Sequence, residues 1–178
     1  MTTNTSSYVY LSDGGHFENL GLYEMVLRRC RHIVVLDSGA DPAFSYEDLG
    51  NAVRKIRIDL RIPIDFPDEY TQPMLQRKKR CAVGTIRYSE VDGLCPDGLL
   101  IYIKPMLLGD EPPDVESYAV AHPDFPHQST ANQWFDESQT ESYRMLGLHT
   151  IDEICLVWKG GGLGEFAQHV QREYLKAG

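Results

Sequence analysis

Two short apolar runs, set one helix apart, constrain this chain more than any other feature. Tyr8-Val9-Tyr10-Leu11 is aromatic and β-branched, and His32-Ile33-Val34-Val35-Leu36-Asp37 is a continuous apolar stretch ending in an acid. Unbroken apolar runs of this length read as strands covered on both faces. Between them Leu22, Tyr23, Val26, Leu27 and Cys30 recur at helical spacing. Glu18 stands near the start of that pattern and Arg28, Arg29 and Arg31 near its end. That polarity suits a helix dipole, and Asn19 is placed to cap the first turn. Strand, helix and strand make a βαβ unit, so residues 8–37 are expected to hold a parallel pair with a right-handed crossover.

The junctions of that unit carry the polar chemistry. Ser12-Asp13-Gly14-Gly15-His16 lies where the first strand gives way to the helix. In open α/β sheets, ligand and catalytic groups collect there, outside the carboxyl ends of the strands. Glycine lets a second segment or a substrate approach the backbone closely, and an acid on such a turn can accept a proton. The second junction is Asp37-Ser38-Gly39-Ala40-Asp41-Pro42. Asp37 and Asp41 could line the same edge as Asp13, or serve as turn residues only.

The rest of the chain extends an α/β pattern. Ser45-Tyr46-Glu47-Asp48 reads as a capping box in its Asp form, and Leu49, Ala52, Val53, Ile56 and Leu60 mark one helix face. Pro63 and Pro67 end that helix, and residues 61–75 read as irregular. Gln76-Arg77-Lys78-Lys79-Arg80 is a basic run. It reads as a contact for anionic headgroups, as a solvated loop, or as the approach to an edge strand protected by charge. Residues 81–90 and 99–104 are expected as an antiparallel pair, separated by the turn dipeptides Asp92-Gly93 and Asp97-Gly98. Pro113 opens a helix that Pro123 ends. A further helix is expected over Asp136–Leu146 with Gly147 as its C-cap, and a last one follows the glycines at 160–164. Ile154–Trp158 is too short for periodicity to decide between strand and helix end. His122, Asp124 and His127 share one proline-stiffened loop, which lacks the spacing of a metal site. The glycine run fits neither a P-loop nor a dinucleotide fingerprint.

The turn also resembles a known family. Tyr8-Val9-Tyr10-Leu11-Ser12-Asp13-Gly14-Gly15, followed by Asn19-Leu20-Gly21, is similar to the Asp-Gly-Gly segment of patatin-like lipid acyl hydrolases, which are related to the cytosolic phospholipases. The stretch from Phe125 through Ser129 and Phe135 to Arg144 is similar to the C-terminal part of large bacterial patatin-like proteins. The resemblance implies a mostly parallel α/β sheet with helices on both faces. It also implies hydrolysis of a phospholipid or other carboxylic ester by a Ser–Asp dyad. Asp13 matches the catalytic Asp, with Gly14 and Gly15 shaping the turn. Ser12, His16, Asn19 and Asp37 are candidate pocket-lining residues. No serine here lies in a Gly-x-Ser-x-Gly elbow, so the chain reads as the C-terminal portion of such an enzyme. Its partner would be the nucleophile-bearing N-terminal portion, and its substrate would lie in a lipid or membrane surface. No cofactor or metal is implied. The alternative is a non-catalytic α/β domain used for binding or as a scaffold.

Charge and cysteines narrow the setting. A formal net charge of −9 argues against a nucleic-acid partner. Cys30, Cys81, Cys95 and Cys155 show no C-x-x-C spacing and read as thiols of a reducing, cytoplasmic compartment. The first seven residues lack the features of a signal peptide. Membrane association is expected, if at all, through the missing portion.

Overall fold

In the computed structural model, Thr5, Ser7, Tyr8 and residues 13–175 are described. Four strands form one mixed sheet: β1 (His32–Leu36), β2 (Ile64–Asp65), β3 (Cys81–Ile86) and β4 (Gly98–Ile103), in the order β1-β4-β3-β2. β1 runs parallel to β4, with Leu36 opposite Ile103. β3 is antiparallel to both β4 and β2. The expectation of a mostly parallel sheet is therefore corrected, since one described pair of three is parallel. The physical reason is the connection: residues 87–97 fold back through a turn of 3-10 helix and return β4 beside β3 as a hairpin does. Of the expected first strand at 8–12, residues 9–12 lie outside the described residues, and Tyr8 lies in a bend with its side chain exposed.

Two apolar layers sandwich the central strands. On one face Ile33, Val35, Ala82, Ile86, Leu100 and Tyr102 meet helices α1 (Leu22–Leu27) and α2 (Glu47–Leu60). On the other face Cys81, Val83, Ile101 and Ile103 meet Ile154, Ala167, Val170 and Tyr174. Those partners come from the end of α5 (Glu137–Ile154), from α6 (Leu163–His169) and from the π turn that continues it. Each fully buried Ile or Leu contributes roughly 2 kcal/mol. β3 and β4 are covered on both faces, as their unbroken apolar sequence requires. β1 is not: Ile33 and Val35 are buried, while Val34 and Leu36 remain exposed, Leu36 by 67%. It is an outer strand of the described sheet; at its start Gly164 of the second layer lies beside the His32 ring, and at its end Leu36 borders a cavity with α5.

Several local expectations are corrected by particular residues. α1 is not capped by Asn19. Gly21 takes the cap position with φ +68°, and the Glu18 carboxylate accepts the Leu20 and Tyr23 amide N–H groups. Ser45 does not cap α2 either, because Asp41 accepts from the Ser45 N–H, the Ser45 hydroxyl and the Tyr46 N–H. Residues 61–75 are not irregular: they hold β2 and α3 (Asp68–Leu75), which starts after Pro67 and tolerates Pro73 inside. α5 runs through Gly147 to Ile154, so Ile154–Trp158 is a helix end. Leu146, Thr150 and Ile154 bury one stripe at four-residue spacing, which outweighs the ~1 kcal/mol cost of one helical Gly. α4 (Pro113–Ala121) packs on α5 through Val115, Phe125 and Leu146.

The basic run divides: Gln76, Arg77 and Lys78 are exposed, as in a solvated loop, while Arg80 enters the fold. Arg80 is fully buried, donating to Asp110, Glu111, Glu153 and the Met106 carbonyl. Burial opposes its charge, but Asp110 and Glu153 outweigh that and push its pKa upward. Arg77 stacks over Phe44 and Lys79 over Tyr174. The strand that follows is interior, so the run is not the approach to an edge.

Candidate functional site

Asp13 opens a single turn of 3-10 helix over Gly14–His16. The Phe17 and Glu18 N–H groups close it by donating to the Gly14 carbonyl at 2.9 Å. This brings His16 back over the acid, and its Nδ1–H donates to Asp13 Oδ1 at 3.0 Å. That hydrogen bond, with the ring's charge attraction, holds the Asp13 carboxyl below the usual Asp range. Asp13 is open to solvent, with its side chain 80% exposed.

Gly15 is where a second side chain approaches. A Cβ there would lie 2.7 Å from Asn19 Oδ1 and 3.2 Å from Asp13 Oδ1, so both polar groups converge on the space that only glycine leaves. Asn19 Nδ2 then donates to Asp48 Oδ1 at 3.1 Å, at the start of α2. Asp48 and Asp37 both border Gly39, each within 3.2 Å of where its Cβ would stand. Asp13, Gly15, Asn19 and Asp37 therefore lie along one continuous polar band beyond the carboxyl end of β1. Gly14 shapes the turn without a close neighbour. Ser12 lies outside the described residues.

The inner end of the band is a buried ion cluster that sequence reasoning missed. Lys104 Nζ lies 3.0 Å from Asp37 Oδ2 and 3.8 Å from Asp41 Oδ2. The Tyr102 hydroxyl also donates to Asp37, and the Gly39 N–H donates to its other oxygen. Burial, then the bond to Asp37, pushes the Tyr102 pKa up. Asp41 is destabilised by burial, yet the Ser45 and Tyr46 N–H groups hold its pKa low. His127 Nδ1 accepts the Asp41 N–H at 3.3 Å, and the ring packs edge-on against Phe44. Burial lowers its pKa, and Lys104 lowers it further. His122 turns elsewhere, stacking on Tyr118, so the two loop histidines do not converge. No local signal marked Lys104: only the β1–β4 register, with Leu36 opposite Ile103, sets it beside Asp37.

Two apolar cavities open beside the band and share Ser38. One, of about 270 Å³, lies between Leu36, Ile103, Pro105, Thr150 and Ile151. The other, of about 280 Å³, lies between Gln128, Thr130, Phe135, Thr140 and Tyr143. An exposed acid such as Asp13 can take a proton from a nucleophile, and the apolar clefts at the Asp37 end of the band leave room for a hydrocarbon chain.

Comparison with protein-family models, curated proteins and solved structures finds no match. Among the described residues, no helix is long and apolar enough to cross a membrane.

Proposed function

We propose that this chain supplies the carboxylate base of a serine-type lipid acyl hydrolase. The observation that carries the reading is Asp13: an exposed carboxylate on a glycine turn, hydrogen-bonded by His16, which lowers its pKa. The two apolar cavities sharing Ser38 support an acyl substrate. The nucleophile would come from another portion of a longer polypeptide. Its Ser Oγ attacks the ester carbonyl while Asp13 accepts the hydroxyl proton. The proton then passes to the departing alcohol, and water hydrolyses the acyl-enzyme. His16 fixes the Asp13 carboxylate and stays outside the proton path. Asn19 and Gly15 set the height at which Asp13 stands.

A second reading is a binding or scaffold domain. It is favoured by the Asp37 cluster, whose charges are paired inside the fold rather than presented to a ligand. Fluorophosphonate labelling separates the two. Under the hydrolase reading the longer polypeptide from the same reading frame is labelled, the label is weakened by Asp13→Ala, and this chain alone is not labelled. No labelling of either form supports the scaffold.

A further inference from the structure

The loop from Phe125 to Phe135 lines the 280 Å³ cavity but supplies no group to the proton transfer proposed above. It carries no Asp, Glu, Lys or Arg, the longest such run among the described residues. At its C-terminal end, just before the α5 cap, Trp134 is 89% exposed and Phe135 49%. The base of the loop is nevertheless fixed. Phe125 is buried with Val115 and Leu146 and meets Tyr118 and Tyr143 edge-on. The Gln128 N–H donates to the Tyr143 hydroxyl, and the Gln139 side-chain amide donates to Gln128 Oε1. Asp136 closes the far end by accepting the Gln139 N–H at 2.7 Å. The two aromatics are thus held outward by a rigid footing.

Their surroundings specify what they can meet. Asp124 precedes the loop, and Asp136, Glu137 and Glu141 follow it, while the nearest following cation, Arg144, is paired with Glu141. We propose that Trp134 and Phe135 anchor the protein in the headgroup layer of a zwitterionic, choline-bearing phospholipid surface. An indole favours that layer because its ring is apolar and its N–H remains wet. Its face attracts a quaternary ammonium, and the carboxylates at the rim add to that attraction while repelling anionic lipid. No charge in the loop has to leave water. Phe135 also lines the 280 Å³ cavity, so the anchor brings the cavity mouth to the lipid. The inference deepens the hydrolase reading but is measured without hydrolysis.

The test uses the full chain with Trp158→Phe, which leaves Trp134 as the one tryptophan reporter. With phosphatidylcholine vesicles the expected result is a blue shift, quenched by brominated acyl chains. Phosphatidylglycerol vesicles should bind more weakly. In the chain that keeps Trp158, Trp134→Ala should lower co-sedimentation with phosphatidylcholine by about tenfold with unchanged circular dichroism. No shift with phosphatidylcholine, equal or tighter binding to phosphatidylglycerol, or binding indifferent to Trp134→Ala overturns the anchor. So does an indole already shielded from iodide without lipid, which would mark a protein interface. A longer polypeptide that cleaves a soluble short-chain ester but binds no vesicles sinks the anchor alone. Vesicle binding without cleavage sinks the hydrolase alone.

Discussion

Asp13 and Asp37 stand on one edge of the molecule in opposite environments. Asp37 is 3% exposed, and Lys104, Tyr102 and the Gly39 N–H meet its two oxygens. Asp13 lies open to solvent with His16 against one oxygen. A carboxylate surrounded by donors in a buried site has its acceptor capacity taken up and serves the fold. A carboxylate standing 80% exposed beside an imidazole, as Asp13 does, remains accessible to an incoming proton. Removing partners of Asp37 should therefore cost stability, and altering Asp13 should cost chemistry.

The largest effect is expected at Lys104, which is 1% exposed. Lys104→Ala leaves Asp37 and Asp41 without their cation, and breaking such a pair costs about 3–5 kcal/mol. Urea unfolding monitored by circular dichroism reads this directly. A loss below about 1 kcal/mol would mean that Asp37 carries no buried charge, and the contrast with Asp13 would collapse. Tyr102→Phe is milder, because Lys104 and Gly39 still hold Asp37. Losing one hydrogen bond to a charged group costs about 1.5–3 kcal/mol by the same measurement.

His127 gives a pH-dependent version of the same contrast. Burial, aided by Lys104, lowers its folded-state pKa below the ordinary His value. Between the two values the unfolded chain binds the extra proton, so stability rises with pH across that window. The contribution is complete above the unfolded pKa of about 6.5 and is lost as pH falls toward the folded value. Unfolding midpoints between pH 7.5 and 5.5 should fall in the native chain and fall less in His127→Leu. An equal slope in both would remove His127 from the cluster.

How much of this was legible follows from where each signal sits. The strand at 32–36, the β3–β4 hairpin and the helix over 47–60 were readable because periodicity and turn dipeptides are local. The parallel partner of β1 was not, since β4 lies more than sixty residues away and nothing local announces it. Pro63 and Pro67 read as the start of an irregular stretch, yet Pro67 stands at the cap of α3, where its missing N–H costs nothing. Gly147 looked like a stop, and the buried stripe on either side carried the helix through it. At the site, Asp13, Gly15, Asn19 and Asp37 could be named from two strand-end loops. Lys104, Tyr102 and His127 could not, because their role comes from burial against those loops. Arg80 shows the same limit: in a run of four basic residues it reads as solvated, and three acids from distant segments bury it.

Asp13 should answer in the opposite currency, with small effects on folding and specific effects on rate. In the longer polypeptide, Asp13→Asn should leave the unfolding midpoint unchanged while ester hydrolysis falls by about 10²–10⁴, the usual contribution of a positioned general base. Gly15→Ala should lower the rate less, since its methyl displaces Asn19 and Asp13 without removing the carboxylate. The finest test is His16→Ala. His16 holds the Asp13 pKa down, so under the hydrolase reading the working carboxylate persists to lower pH in the native protein. Without the ring, the acid limb of the kcat/KM profile should move up toward an ordinary Asp value while the neutral-pH plateau changes little. A limb that stays in place would mean that some other group titrates there. A plateau that collapses would place His16 in the proton path itself, and the dyad would become a triad.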